Sequence, residues 1–267
     1  MKTHLLRYRN SDISYQTWGA GGKWLFCLHG YGEDSQSFEP FAPLLADEYT
    51  MIAIDLPFHG HTEWREGLLF DPADLVAIIN LIKPASHSFS LLGYSMGGRV
   101  ALQLAGMIPQ QIERMVLVAP DGLHKNKWQW LATQTKAGNQ LFAYCMQKPA
   151  TMLFLADTGT KWGVFNKSLL RFVHYYLDKE TERELLYLRW TTMRRFKPNQ
   201  VLIKKEIIQC KIVVHLIFGA FDRVILPKHG YHFSKNANKL ITVTEIASGH
   251  LLLKEKHIAQ IAGFLLA

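Results

Sequence analysis

Residues 89–98 read Phe89-Ser90-Leu91-Leu92-Gly93-Tyr94-Ser95-Met96-Gly97-Gly98, an apolar run that leads directly into the pattern G-x-S-x-G. A helix-forming stretch follows at residues 99–105. This order predicts a strand, a sharp turn at Ser95 and a helix. The turn needs small neighbours because its backbone is crowded, and it exposes the serine hydroxyl over a helix N-terminus, where negative charge is favoured. A glycine-rich turn whose serine only caps the helix has the same pattern, so the rest of the chain must distinguish the two.

Similar apolar runs recur along the chain, separated by loops and helix-forming stretches. We expect eight strands, at residues 2–9, 13–18, 24–28, 50–54, 88–92, 115–119, 211–218 and 240–246. We expect helices at residues 38–46, 72–82, 96–108, 227–236 and 251–266. Runs such as Met51-Ile52-Ala53-Ile54 are apolar on both faces, as in strands that helices cover on both sides. The alternation predicts an α/β fold with a mostly parallel sheet whose first two strands form a hairpin.

Residues 121–200 break this alternation. They contain 13 Lys and Arg against six Asp and Glu, a net charge of +7 within a chain of net charge +8. They also hold 13 of the 32 aromatic residues and are helical in character. We interpret them as a helical insertion, a cap, between two strands of a core formed by residues 1–120 and 201–267.

Composition bounds the class of protein. The 267 residues are 48% hydrophobic and 19% charged, which fits a globular chain with a sizeable core and excludes a disordered or collagen-like one. No run of 18 apolar residues occurs, and the first residues lack the apolar core of a secretory signal. Cys27, Cys145 and Cys210 are odd in number and far apart, which argues against a disulfide framework or a zinc site and indicates a cytoplasmic location.

A serine nucleophile needs a base, and the base needs an acid to orient it. His250 follows the last expected strand and Asp222 follows the strand before it, at the ends where open parallel sheets present their ligands. Asp121 also follows a strand end and is the rival acid. We expect Ser95 as nucleophile, His250 as base and Asp222 as acid.

The tetrahedral intermediate of acyl transfer also needs donors for its oxyanion. The loop Leu28-His29-Gly30-Tyr31-Gly32 follows the third expected strand, and its glycines let the backbone turn an N–H into the site. We expect the backbone amides of Tyr31 and Met96 to form the oxyanion hole. His29 is interpreted as structural, since a second base is not required.

With these motifs in place, the sequence resembles the α/β-hydrolase superfamily over nearly its whole length. The matching motifs occur in the order of that family: His29-Gly30-Tyr31-Gly32, Asp55-Leu56-Pro57-Phe58-His59-Gly60-His61, Gly93-Tyr94-Ser95-Met96-Gly97-Gly98, Gly219-Ala220-Phe221-Asp222 and Gly249-His250. The resemblance implies an eight-stranded sheet with a helical cap inserted after strand 6, and an architectural loop at residues 55–61. It also implies the triad Ser95, Asp222 and His250, and acyl transfer followed by hydrolysis without a metal or organic cofactor.

Three functions remain open for the substrate. The default is a carboxylesterase or related acyl hydrolase of small soluble substrates. The second rests on Glu184-Leu185-Leu186-Tyr187-Leu188-Arg189-Trp190, which resembles the cap of carbon–carbon bond hydrolases of ring-fission products, where the arginine binds a substrate carboxylate. Tyr94 and Tyr31-Gly32 depart from the usual residues of those enzymes. The third is a family member that binds a ligand without turnover.

The basic, aromatic segment has three interpretations of its own. Its aromatic residues could pack the cap while its lysines are solvated, it could draw an anionic substrate into the cleft, or residues 124–131 and 165–177 could contact a membrane surface. No nucleic-acid motif accompanies the charge, so we expect no nucleic-acid partner. Substrate-binding candidates are Tyr94, Trp128, Trp162 and Arg189. The oligomeric state is not indicated.

Overall fold

The computed structural model describes residues 1–84, 87–124, 127–162, 177–237 and 239–267. It contains two compact units. The first comprises Met1–Glu66, Asp71–His124 and Arg195–Ala267, and the second comprises Gly67–Phe70 and Lys125–Arg194. The second unit therefore lies within the expected insertion, 121–200, apart from the four residues Gly67–Phe70. That this unit acts as a cap stays a prediction.

The first unit holds an eight-stranded sheet. Its strands are β1 (Lys2–Tyr8), β2 (Ser11–Trp18), β3 (Lys23–Leu28), β4 (Tyr49–Ile54), β5 (Phe89–Tyr94), β6 (Ile112–Val118), β7 (Val213–Gly219) and β8 (Ile241–Ile246). They lie in the order β1-β2-β4-β3-β5-β6-β7-β8. β1 and β2 pair antiparallel, as do β2 and β4, and the other neighbours are parallel. The expected α/β fold with a mostly parallel eight-stranded sheet is confirmed.

The helices in chain order are α1 (Ala42–Leu45), α2 (Pro72–Ile82), α3 (Met96–Ala105), α4 (Lys127–Gln134), α5 (Lys136–Gln147), α6 (Pro149–Lys161), α7 (Glu180–Thr192), α8 (Gln200–Cys210), α9 (Pro227–Ser234) and α10 (Glu255–Leu266). Helices α4 to α7 follow β6 and belong to the second unit. In the described part of the chain, no helix combines the length and the apolar character needed to cross a membrane.

Local signals explain the helix that the sequence predicted best. Helix α2 runs from Pro72 to Ile82, the bounds expected from the sequence. The Asp71 side chain accepts the Ala73 N–H at 3.0 Å, and the Asp74 side chain accepts the Asp71 N–H at 3.0 Å. This capping box and the proline in the first turn define the helix start through neighbouring residues alone.

Two expected helices differ most from the structure, while α3 and α9 end at Ala105 and Ser234, before their expected ends. Residues 38–46 were expected to be α-helical, but a 3-10 helix spans Ser35–Phe41 before the four-residue α1. Pro40 lies inside that stretch and has no N–H to donate to a helical hydrogen bond. The last helix begins at Glu255 rather than at residue 251. Leu252, which precedes it, is fully buried in the hydrophobic core.

The sheet brings the site loops together at one edge. The parallel register pairs Leu28 with Gly93, Gly93 with Leu117, and Leu117 with Leu216. The carboxyl ends of β3, β5, β6 and β7 therefore lie at the same edge, and all six residues of β5 are buried. The loops that leave this edge carry the residues that the sequence singled out.

Candidate active site

Ser95 sits in a strained turn between β5 and α3. Its backbone has φ 48° and ψ −110°, a left-handed conformation that non-glycine residues rarely adopt. Crowding explains the glycines around it, because a Cβ at Gly97 would lie 1.8 Å from the Leu28 carbonyl oxygen. A Cβ at Gly98 would lie 2.6 Å from the Pro120 Cβ. The turn packs so closely on β3 and the loop after β6 that no side chain fits at either position.

Backbone hydrogen bonds hold this turn. The Ser95 N–H donates to the Val118 carbonyl at 2.9 Å, and the Ser95 carbonyl accepts the Asp121 N–H at 2.9 Å. Both partners belong to the end of β6 and the loop that follows it. The Gly98 N–H also donates to the Ser95 carbonyl at 3.0 Å, so the strained conformation is held both by the start of α3 and by the neighbouring strand.

Three side chains from three loops form a connected series. The Ser95 Oγ lies 3.1 Å from His250 Nε2, and His250 Nδ1 lies 2.7 Å from Asp222 Oδ2. With the imidazole proton on Nδ1, that nitrogen donates to Asp222 and Nε2 accepts from the serine hydroxyl. The arrangement places an acceptor for the Ser95 proton within hydrogen-bond distance.

Asp222 is held as an ionised acceptor. Its side chain is fully buried, and Oδ1 accepts the Val224 N–H at 2.7 Å and the Ile225 N–H at 3.0 Å. Burial acts to raise the pKa of Asp222, but the hydrogen bonds from His250 and these two backbone amides outweigh it, and the pKa lies below its usual value.

The rival acid has other partners. The Asp121 carboxylate accepts the Gly122 N–H at 2.7 Å, and its Oδ2 lies 3.5 Å from Arg99 Nε. The contact with His250 is made by Asp222. The structure thus brings together Ser95, His250 and Asp222, and places the Asp121 side chain in an ion pair beside the turn.

The oxyanion loop is anchored by His29, which is fully buried. Its Nε2 accepts the Leu56 N–H at 3.0 Å, so its proton is on Nδ1, which donates to the Gly30 carbonyl at 2.8 Å. Both ring nitrogens serve the backbone, in agreement with a structural histidine. Met96 is the first residue of α3, where an amide has no acceptor within the helix. The pairing of the Tyr31 and Met96 amides as oxyanion donors stays a prediction.

The loop at residues 55–61 is held by one carboxylate. Asp55 is buried, and its oxygens accept the Ser35 N–H at 2.7 Å and the His61 N–H at 3.0 Å. Gly60 has φ 51°, and a Cβ there would lie 2.3 Å from Asp55 Cγ. These contacts tie two loops together and make Asp55 an architectural residue.

Tyr94 contacts both the backbone and the ring of His250. It is buried, its hydroxyl donates to the His250 carbonyl at 3.1 Å, and its ring centroid lies 5.7 Å from that of His250. Burial, with smaller contributions from Glu33 and Asp222, raises the pKa of Tyr94 and keeps its hydroxyl protonated. Sequence reasoning assigned Tyr94 to the substrate pocket and missed this contact, because nothing local indicates it.

The other expected pocket residues belong to the second unit. Trp162 follows α6 and is 81% exposed, and Arg189 lies on α7 and is partly exposed. Trp128 lies on α4, but its side chain is outside the described residues, as are residues 165–176 of the second membrane-contact candidate. Substrate contacts by Tyr94, Trp128, Trp162 and Arg189 stay predictions.

Helices α4 to α6 and their ends expose large apolar side chains. They are Trp130, Leu131, Leu141, Tyr144, Phe154 and Trp162, each between 47% and 81% exposed. The interpretation that the aromatic residues of the segment pack the cap stays a prediction. Lysines accompany them, and Lys148 Nζ lies 5.6 Å from the centroid of the Tyr144 ring.

A separate groove lies on the first unit, between α8 and α9. Its volume is about 520 Å³, and its lining includes Val201, Lys204, Ile208 and Phe233. Ser95, Asp222 and His250 do not line it. Within the described residues, no group of three or more His, Cys, Asp or Glu side chains is placed to hold a metal ion.

Relatives in sequence are named as hydrolases. The chain is 25% identical to an uncharacterized hydrolase, YugF of Bacillus subtilis, over 88% of this chain and 86% of that one. It is 34% identical to a pimeloyl-[acyl-carrier protein] methyl ester esterase of Klebsiella pneumoniae over 49% of this chain. It is 35% identical to a serine hydrolase-like protein of Danio rerio over 40% of this chain. The chain spans only 50% and 34% of the length of these last two proteins.

Solved structures and a family model agree on the fold. The enol-lactonase of Burkholderia xenovorans matches with a TM-score of 0.67 at 18% identity, covering 99% of this chain and 100% of that one. A structure from a study of carboxylesterases of Nitrososphaera gargensis matches with a TM-score of 0.69 at 14% identity, covering 98% of each chain. The model of the alpha/beta hydrolase fold matches residues 23–257. The chain therefore belongs to the α/β hydrolase fold family.

Proposed function

We propose that this chain is a serine hydrolase that cleaves a small ester through Ser95, His250 and Asp222. One observation carries the proposal. The Ser95 Oγ, both nitrogens of the His250 ring and the Asp222 Oδ2 are joined by contacts of 3.1 and 2.7 Å. That order matches the requirement of a serine nucleophile for a base that an acid holds in one tautomer.

In the first half of the reaction, Ser95 Oγ attacks the ester carbonyl carbon while His250 Nε2 takes its proton. Asp222 accepts the Nδ1–H bond throughout and stabilises the imidazolium that forms. The Tyr31 and Met96 amides are the proposed donors to the oxyanion. The imidazolium then gives its proton to the leaving alcohol oxygen as the carbon–oxygen bond breaks, and the acyl group remains on Ser95.

In the second half, water attacks the acyl carbon. His250 takes a proton from that water and then returns it to Ser95 Oγ as the acid product leaves. Every proton in this route passes through His250, so the proposal calls for no metal ion and no organic cofactor.

We propose a small, anionic ester as the substrate. The net charge of +7 over residues 121–200 supports this choice, since a strongly basic segment attracts anions. Relatives named as methyl ester esterases support ester chemistry. The contacts of His250 with Ser95 and Asp222 support catalytic turnover rather than ligand binding alone.

The test is hydrolysis of p-nitrophenyl esters of two to twelve carbons by the wild type and by Ser95→Ala, with equal folding checked by circular dichroism. We expect turnover of the short esters by the wild type and a loss of several powers of ten in kcat for Ser95→Ala. Retention of near wild-type turnover by Ser95→Ala would refute the nucleophile. Wild-type inactivity on every ester would refute the proposed ester chemistry and move the assays to ring-fission dienoates, where Arg189→Ala is the matched test.

The exposed apolar side chains of α4 to α6 favour a second candidate, an ester presented at a membrane surface. Aromatic residues and lysines on the same helices are typical of interfacial helices. If this candidate is right, turnover should rise with chain length and with added anionic vesicles. A preference for two- to four-carbon esters, unaffected by vesicles, would favour the small soluble substrate.

A further inference from the structure

The oxyanion loop carries a carboxyl group that the proposed mechanism does not use. Glu33 lies three residues after Gly30, and its N–H donates to the Gly30 carbonyl at 3.3 Å. Its Oε2 is buried and has no hydrogen-bond partner among the described residues. The Gly30 backbone and the Ser37 side chain favour the ionised carboxyl, but this buried oxygen lacks a donor of its own, which is costly.

Glu33 lies near Tyr94, the residue that contacts His250. A Cβ built on Gly30 would lie 3.2 Å from Glu33 Oε2 and 2.9 Å from Tyr94 Cδ1. The Glu33 carboxyl and the Tyr94 ring therefore both border the space beside the Gly30 Cα. That ring in turn faces His250, with 5.7 Å between the centroids. Tyr94 therefore lies next to both Gly30 and His250.

The groups near Glu33 act on its pKa in opposite directions. Burial raises the pKa of Glu33, the Gly30 backbone, the Ser37 hydroxyl and His250 act against burial, and Asp34 acts with it. His250 is faced by Asp222 at 2.7 Å and by the Tyr94 ring. The Tyr94 hydroxyl stays neutral, Asp222 contacts the imidazole directly, and Glu33 interacts with it electrostatically.

We propose that Glu33 is a positioning residue whose carboxylate stabilises the positively charged form of His250 during acyl transfer. The proposal rests on the triad proposed above. The imidazolium exists after proton transfer and not before it, so a nearby negative charge stabilises the transition state more than the ground state. Charges several ångströms apart interact appreciably when apolar groups rather than water lie between them.

The test compares Glu33→Gln with Asp34→Asn, which removes the same charge one residue away. Asp34 Oδ1 accepts the Gln36 N–H at 2.9 Å, a bond that an asparagine oxygen also accepts. We would follow the His250 ring by NMR from pH 5 to 9 and measure kcat/KM over the same range. For Glu33→Gln, we expect the midpoint of the His250 titration and the acid limb of kcat/KM to move down by about half to one pH unit, with kcat lower by about 3- to 10-fold. Asp34→Asn should shift the His250 titration midpoint and the acid limb of kcat/KM by no more than a third of the shifts seen for Glu33→Gln. Glu33→Asp should keep both quantities close to their wild-type values.

Three outcomes would overturn the inference. The His250 titration could be the same in Glu33→Gln and the wild type, which would leave Glu33 a merely structural role even if the rate falls. Asp34→Asn could shift it equally, which would show a diffuse charge effect. Glu33→Asp could fail to restore it. The NMR titration needs no turnover, so it decides the role of Glu33 even if wild-type inactivity refutes the ester hydrolase.

Discussion

Asp222 uses its two carboxylate oxygens differently. Oδ1 accepts two backbone N–H groups, and Oδ2 accepts from His250. In Asp222→Asn, the amide oxygen would keep the backbone donors and the NH₂ group would face His250 Nδ1. The imidazole would then carry its proton on Nε2, the nitrogen that must accept from Ser95. A single atom replacement would therefore disable the base without disturbing the loop.

We expect Asp222→Asn to lower kcat by about 10³- to 10⁴-fold, the magnitude typical of a wrong histidine tautomer. Asp121→Asn is the matched control, and it should lower kcat by less than about 10-fold because Asp121 contacts Arg99 instead of His250. The measurement is kcat on the ester that the wild type turns over best. A larger loss in Asp121→Asn than in Asp222→Asn would identify Asp121 as the acid.

At the scale of elements, the close approach of α3 to β3 is what presents Ser95. Gly97 lies in the first turn of α3, directly against the Leu28 carbonyl at the end of β3. The last helix, α10, offers a contrast, since a Cβ at its Gly263 would meet nothing within 4 Å. An alanine at Gly97 therefore changes both packing and helix propensity, whereas an alanine at Gly263 changes helix propensity alone.

We expect Gly97→Ala to lower the free energy of unfolding by at least about 3 kcal/mol or to prevent folding, because the backbone of β3 or α3 must shift to admit the methyl group. Gly263→Ala should raise it by about 0.5–1 kcal/mol through helix propensity. Urea denaturation of both variants provides the measurement. Equal effects at the two sites would show that the α3–β3 contact is looser than described.

A second contact between elements joins β1 to α2. The Tyr8 hydroxyl donates to Asp74 Oδ1 at 2.8 Å, and Asp74 also closes the capping box of α2. Burial and the hydrogen bond to Asp74 raise the pKa of Tyr8 to about 12. Because the folded state favours the protonated phenol, this contribution is fully present below the unfolded pKa of 10 and is lost as pH rises through about 12.

We expect Tyr8→Phe to lower the free energy of unfolding by about 1–2 kcal/mol at pH 8, because it removes a buried hydrogen bond to a carboxylate. The difference from the wild type should shrink between about pH 10 and 12. Chemical denaturation at pH 8, 10 and 12 is the measurement. A difference that stays constant across this range would mean that the phenol is not held protonated by the fold.

For the whole molecule, charge is distributed unevenly. The chain carries +8, and residues 121–200 account for +7. The second compact unit lies within those residues apart from Gly67–Phe70, so the positive charge belongs mostly to one unit. This uneven distribution of charge affects the rate at which charged substrates associate with the protein rather than its fold.

We expect kcat/KM for an ester with a free carboxylate to fall several-fold between about 20 and 300 mM salt, because screening weakens the attraction to the basic unit. A neutral ester of the same length is the control and should change by less than about twofold. Stopped-flow or plate assays at matched pH are sufficient. Equal salt dependence of the two esters would contradict electrostatic steering.

Local patterns in the sequence were sufficient for the strands, for α2 and for the turn at Ser95. Apolar runs, a capping box and glycines beside a serine each lie within a few residues, so these elements can be recognised without knowing their distant partners. The 3-10 helix at Ser35–Phe41, which contains Pro40, and the late start of α10 were not foreseen, because a local pattern leaves helix boundaries loosely determined.

The sequence favoured Asp222 over Asp121 through the order of its motifs, but only the tertiary structure gave the 2.7 Å contact between Asp222 and His250. It alone placed Gly67–Phe70 with the second unit, through the Phe70 N–H bond to the Thr192 carbonyl at 3.0 Å. It alone brought the Glu33 carboxyl against Gly30 and Tyr94. These relations join residues far apart in the chain or on different elements, and short-range propensity carries no information about them.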